Sequence, residues 1–318
     1  MNNTENFKYE VSFSFLKQDE PIAYDINDRI LDRLTTFIYS RKQEELGATD
    51  GEKQFNKVFF EESRIVVLLY REGWGQTPWT RIEETAIKNR AFEKGWDFLV
   101  LINLDPNSKL PKWIPQTYIW LDYQRFKSEG AIAVIDQRVK QNGGTSREES
   151  IEDKANRLKR QRTAENEREN YLRSSEAIQN AYSEMTLLIQ KLKSIKPLIE
   201  DPSSNLHLSI SERTGYPQMF EFGHQNYFLC FNNSTGFEYG IKNGILRISL
   251  YEKNDYQGLD YKELVHKKVE LKFDRNLMGH LGWSDSNQTN RFYTSDELVD
   301  KWVKDFIDNI GKKRKNNY

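Results

Sequence analysis

RIVVLLYREGWGQTPWTRIEE, residues 64–84, passes from an apolar run through a glycine-punctuated turn into a helix start. Ile65 to Leu69 are all aliphatic, and the run RIVVLLYR (64–71) reads as a strongly buried strand. Thr77-Pro78 fits an N-cap followed by proline at the first helical position. A start at Thr80 instead would place Thr80 and Glu83 in capping-box spacing and give Glu83 a purely structural task. Pro78 suits the first helical turn better, which sets Glu83 well inside the helix.

The two adjacent acids then separate on the helical wheel. At about 100° per residue, Trp79, Ile82, Ala86 and Ile87 gather on one side. Glu83 falls at the rim of that cluster, one turn after Trp79, so the indole and the carboxylate share a face. Glu84 points largely away and is expected to be a solvated charge. Glu83 is therefore the candidate for chemistry.

Outward from this stretch, the first ~140 residues alternate apolar runs with amphipathic segments, as a parallel α/β sheet requires. YEVSFSFL (9–16) and TTFIY (35–39) are expected strands earlier in the chain. WDFLVLINLD (96–105) and the shorter QTYIWLDY (116–123) are expected strands later in the chain. Helices are expected over 19–34, where Ile22, Ile26, Ile30 and Leu34 recur every fourth residue, and over 52–63, 78–95 and 129–141. Gly95 and the Gly143-Gly144 pair are the expected helix stops. Residues 145–200 change character to a dense mixture of both charges, expected to form a solvated helical linker. Its final part carries a stripe, Ile178, Tyr182, Met185, Ile189, Leu192 and Ile195, which should pack on the next domain or on another copy, and Pro197 should end it. Residues 201–318 alternate like an antiparallel sheet closed by a helix that starts at Thr294, with Glu297 in capping-box spacing and a basic, disordered tail from Gly311. Three parts follow: 1–144, 145–200 and 201–318.

Composition narrows the chemistry. The chain has 318 residues, a formal net charge of -1 and one cysteine, Cys230. Near-neutral charge makes nucleic acid an unlikely partner. No apolar run approaches the ~20 residues of a membrane span, and the polar N-terminus does not resemble a signal peptide, so a cytoplasmic location is expected. His207, His224, His266, His280 and Cys230 all lie beyond residue 200. A site in the first part must therefore work without a thiol–imidazole pair, a Ser–His–Asp triad or a histidine-held metal. His224 and Cys230 have no metal-ligand spacing. Neither G-x-G-x-x-G nor a Walker sequence is present, and Gly73-Trp74-Gly75 is too short to replace one.

YEVSFSFLKQDE, FIYSRKQEELG with GEKQF, RIVVLLYREGWGQTPWTRIEE, WDFLVLINLD, LPKWIP and YIWLDY together resemble a bacterial TIR (Toll/interleukin-1 receptor) domain over about residues 7–142. The resemblance implies a flavodoxin-like fold of five parallel strands with the ligand at their carboxyl ends. It makes Trp79-x-x-x-Glu83 the segment that carries the catalytic glutamate. It implies cleavage of the nicotinamide–ribose bond of NAD+, as substrate rather than cofactor, to ADP-ribose or a cyclic isomer. By position, Ser14 and Phe15 should border the pocket, Tyr39 should flank the variable loop, and Trp74 and Trp79 could stack on a base. Proteins of this kind act when assembled, so self-association is expected. An anti-phage effector triggered through residues 201–318 is the implied setting, with a non-catalytic adaptor or a nucleotide-binding module as alternatives.

Overall fold

The computed structural model describes residues 7–42, 50–105, 107–199, 208–213, 218–224, 227–233, 237, 240–253, 263–276, 279–285 and 292–315. The chain divides into two compact units, residues 1–161 and 162–318.

The first unit is built on five strands, β1 (Tyr9–Ser14), β2 (Thr36–Phe37), β3 (Ser63–Tyr70), β4 (Leu99–Asn103) and β5 (Leu121–Asp122), in the order β2-β1-β3-β4-β5. Every pairing is parallel, with Ser14 opposite Leu68 and Tyr70 opposite Asn103. The helices are α1 (Glu20–Asp28), α2 (Gly51–Asn56), α3 (Pro78–Lys94) and α4 (Tyr123–Gln141). A π-helical turn, Lys57–Glu62, continues α2. Because side chains alternate along a strand, β3 divides its apolar residues between two cores. Ile65, Val67 and Leu69 pack with Ile26 and Ile30 near α1 and Ala131 and Ile135 of α4. Val66 and Leu68 pack with Phe55, Phe59, Ala86 and Ile87 of the α2–α3 layer. This is the doubly covered parallel α/β sheet expected from the buried apolar runs, with the flavodoxin-like architecture that the resemblance implies.

The elements depart from expectation at their ends. Regular α1 stops at Asp28; Ile30 and Leu34 still reach the core, carried by turns instead of helix. The expected strand over 116–123 shortens to two paired residues. Helix α4 begins at Tyr123 instead of 129, because the Asp122 carboxylate caps the Gln124 and Arg125 amides, and it kinks at Lys127 with φ 51°.

One buried cation organises the α2–α3 face. Arg90 lies 4% exposed and donates to the carbonyls of Phe59 (3.0 Å), Ser63 (2.7 Å) and Arg64 (3.1 Å), with its guanidinium 4.1 Å over the Phe98 ring. Arg90 thereby ties α3 to the π turn and to the start of β3.

Helix α5 (Ile151–Leu172) contains the division between the units, and in the second unit α6 (Ser175–Ile199) precedes a seven-stranded antiparallel sheet. Its strands are β6 (Ser209–Arg213), β7 (Gln218–His224), β8 (Tyr227–Asn233), β9 (Leu246–Lys253), β10 (Glu263–Arg275), β11 (Leu281–Asp285) and β12 (Phe292–Tyr293). They lie in the order β12-β11-β10-β9-β8-β7-β6, and helix α7 (Ser295–Lys315) follows. The α6 stripe does pack on this domain: Met185, Ile189 and Leu192 share a core with Phe220, Phe222, Phe231, Trp283, Trp302 and Phe306. Pro197 sits inside α6, two residues before its end, so it does not stop the helix there. Helix α7 likewise runs through residues 311–315, which were expected to be disordered. The charged stretch is not simply solvated: Arg160 pairs with Asp32 in the first unit, and Arg168 donates to both Asp274 oxygens in the second.

Candidate functional site

The site forms where β1 and β3 end. In the order β2-β1-β3-β4, the connection that leaves β1 goes to one side and the connection that leaves β3 goes to the other, so β1 and β3 flank a topological switch point, the place at the carboxyl edge where open α/β sheets take their ligands. Ser14 closes β1 and is fully buried. Beyond β3, the turn of residues 71–76 leads into α3, with Gly73 at φ 97° and Gly75 at φ 83°, conformations that suit glycine.

The helix start resolves as Thr77 at the N-cap with Pro78 in the first turn. The Thr80 amide donates to Thr77 Oγ1 (3.2 Å), while Thr80 Oγ1 accepts from the amides of Thr77 (3.3 Å) and Gly75 (3.1 Å). Thr80, not Glu83, therefore completes the capping box, and Glu83 has no structural duty at the helix end. Replacing Thr80 by Ala removes the acceptor for two amides. It should lower stability by about 1–2 kcal/mol, read as the denaturant midpoint at unchanged m.

Glu83 is only 7% exposed. Its Oε2 accepts a 2.5 Å hydrogen bond from Ser14 Oγ, and Ser14 Oγ accepts a 3.0 Å bond from Trp74 Nε1. Indole, hydroxyl and carboxylate thus form a chain in which each donor faces the next acceptor. Ion pairing plays no part, since Glu83 forms no salt bridge with any described residue. Burial pushes its carboxyl up to about 8, against a smaller opposing effect of the Ser14 hydrogen bond. Oε1 accepts no bond from the described residues and is not among the shut-in polar atoms, so one carboxylate oxygen remains available. Removing the Ser14 hydroxyl should raise the Glu83 carboxyl further. In Ser14→Ala the acid limb of kcat/KM should therefore move to higher pH and activity at pH 7 should drop severalfold; an unmoved limb would show that Ser14 does not tune the group.

Glu84 is not the solvated charge expected of it. Its Oε1 accepts from Trp113 Nε1 at 2.7 Å, and it lies so close over Gly75 that a Cβ there would come within 2.5 Å of Oε2. Glu84 therefore fastens the turn that carries Trp74.

The aromatic candidates separate. Trp74 is buried at 4% exposure, with its indole N–H committed to Ser14. Trp79 is 51% exposed, stacks at 6.1 Å on Tyr39 and meets Phe55 edge-on at 5.9 Å. Tyr39 and Trp79 thus form one ledge beside α2. Phe15 packs against the other core, on the α1–α4 side of the sheet. The structure brings Ser14, Trp74 and Glu83 together, sets Tyr39 and Trp79 side by side, and leaves Phe15 on the far face.

Asp19 and Arg71 were not singled out from sequence. Asp19 is 1% exposed, and burial pushes its carboxyl up even though Arg71 donates to it through Nε (3.0 Å) and Nη2 (2.8 Å). The pair is 52 residues apart in the chain, so no local spacing could have joined them. No group of three or more His, Cys, Asp or Glu that could hold a metal occurs among the described residues, and no described helix is long and apolar enough to cross a membrane.

No family model and no curated protein matches this chain. Among solved structures it is similar to a metazoan TIR-STING receptor from C. gigas in complex with 2',3'-cGAMP. That likeness has 13% identity, covers 88% of this chain and 73% of that chain, and has a TM-score of 0.32.

Proposed function

We propose that the first unit cleaves the nicotinamide–ribose bond of NAD+, with Glu83 as the catalytic carboxylate. The observation that carries this is a buried glutamate that pairs with no cation among the described residues and is held by Ser14, itself held by Trp74, at the switch point of the sheet. A buried acid without a counter-ion lowers stability, so its presence at the carboxyl edge of the sheet favours a chemical role. The resemblance of residues 64–84 to the TIR segment with Trp-x-x-x-Glu supports the same reaction.

Nicotinamide leaves readily because its ring nitrogen carries positive charge while bonded to ribose. The bond between C1′ and that nitrogen breaks with its electron pair going to nicotinamide, which departs neutral, and the ribose becomes oxocarbenium-like. An ionised Glu83 held against the ribose stabilises that charge and accepts from the ribose hydroxyls. Attack by water completes ADP-ribose; attack by the adenine of the same molecule gives a cyclic isomer. The cationic substrate itself favours ionised Glu83. The free protein should thus show an acid limb in kcat/KM near pH 8, and the kcat limb should lie lower.

Assembly gating and a trigger read by the second unit belong to the same proposal. The test is nicotinamide release from NAD+ by the full chain at high concentration and when artificially clustered, beside Glu83→Ala. Release that depends on Glu83 supports the enzyme. Saturable NAD+ binding without release, or neither in any assembled state, would replace it with a binding module or an adaptor.

A further inference from the structure

We infer that Arg71, held by the buried Asp19, is the residue that takes the diphosphate of a dinucleotide at this site. The inference rests on the proposed dinucleotide site and adds the anchor for the ligand's charged middle.

Three observations converge on Arg71. The first is position. Arg71 directly follows β3, and its carbonyl accepts from the Trp74 amide at 3.1 Å. It therefore opens the turn whose indole holds Ser14 against Glu83. It stands at the carboxyl edge, beside the β1–β3 switch point, where open α/β sheets take their ligands.

The second is how the guanidinium is occupied. Asp19 engages only the edge formed by Nε and Nη2. Nη1 donates to no described residue, and the side chain keeps 35% of its exposure, against 2% for the Asp19 side chain. A planar cation is fixed along one edge and open along another, which matches the geometry that a phosphate oxygen pair needs.

The third is cost. An ion pair with one fully buried partner is a poor source of stability, because the carboxylate loses hydration that the pair only partly restores. Burial does push Asp19 up in spite of Arg71. A purely structural tie between the segment after β1 and the turn after β3 could be made by apolar packing. Holding a guanidinium in one orientation at a crevice is the task that a buried carboxylate performs and a methyl group cannot. Arg41, farther along the same edge, is engaged by Asp28 at 2.7 Å and by the Tyr24 ring at 4.2 Å.

The experiment is calorimetric titration of ADP-ribose, which carries the diphosphate but no nicotinamide, into the full chain, with adenosine as the phosphate-free control. The variant pairs Arg71→Gln with Asp19→Asn, so that no buried carboxylate is left without a partner and an amide pair of similar shape remains. Arg71→Lys is titrated beside it. The expected result is a loss of about 10- to 100-fold in ADP-ribose affinity in the double variant, partial recovery in Arg71→Lys, and unchanged adenosine binding. Undiminished ADP-ribose affinity in the double variant would overturn the inference. So would an equal loss for adenosine, which would reveal a collapsed crevice, or no ADP-ribose binding by the unmodified chain. Nicotinamide release is scored separately. Release with an Arg71-independent KM sinks this inference alone, and Arg71-dependent ADP-ribose binding without release sinks the glycohydrolase alone.

Discussion

Glu83→Gln should reduce nicotinamide release by about 10³-fold while Glu84→Ala stays within about tenfold of the unmodified chain. The two acids are neighbours in sequence, so the contrast isolates what each environment does. Glu83 faces Ser14 and has an oxygen to offer, whereas Glu84 is already engaged by Trp113 and packed on Gly75. Glutamine keeps the shape of Glu83 and can still accept from Ser14, but it can never carry the charge that an oxocarbenium-like ribose requires. Its loss should therefore fall on kcat, with KM little changed, because the charge matters most in the transition state. Glu84→Ala should instead loosen the turn holding Trp74 and affect Glu83 only through Ser14. The assay is nicotinamide release under saturating NAD+ with both variants at equal concentration and equal oligomeric state. Loss confined to Glu84→Ala would move the chemistry to the other acid, and equal loss in both would mark the segment as structural.

The legible part of this site was local. Trp79 and Glu83 lie one turn apart, and the spacing alone put them on one face; the proline at the helix start fixed the phase. The wheel nevertheless set Glu83 only at the rim of the apolar face, and the structure buries it. Its contacts there are long-range: Ser14, 69 positions earlier, donates to Glu83, and Trp74 from the preceding turn donates to Ser14. Glu84 was misplaced for the same reason, since Trp113, 29 residues onward, supplies a donor that no helix periodicity can foresee. Long-range closure of this kind also hid Asp19 and Arg71.

A similar division runs through the fold. Strands buried on both faces announce themselves as continuous aliphatic runs, and β3 and β4 appear where those runs lie. Short edge strands carry little such signal: β5 pairs through two residues, and β12 pairs through Phe292 and Tyr293. β11 carries little of it either, because only Trp283 of its residues is large and fully buried, and Gly282 approaches the Tyr293 carbonyl and the Phe292 ring too closely to admit a side chain. The α6 stripe showed that a partner surface must exist, but a periodic pattern does not say which surface it meets.

The same substitution that silences the site should stabilise the fold, and only above acid pH. Glu83 has an ordinary value of 4.5 and is held at about 8 in the folded chain. Between those values the native state keeps a proton that the unfolded state has released, so stability falls as pH rises through this window. Below pH 4.5 both states are protonated and the penalty vanishes; above about pH 8 both are ionised and the penalty is complete. At pH 7 the penalty is about 3 kcal/mol. Glutamine has no proton to lose, so Glu83→Gln should match the unmodified chain near pH 4 and exceed it by about 3 kcal/mol at pH 7. Urea unfolding followed by tryptophan fluorescence at several pH values would read this, because Trp74 sits in direct contact with the Ser14–Glu83 pair. A stability gain that does not change with pH would mean that packing, not proton linkage, separates the two chains. A gain that grows with pH would show that the fold carries Glu83 at a loss, which is the condition a buried catalytic carboxylate imposes and an ordinary structural glutamate does not.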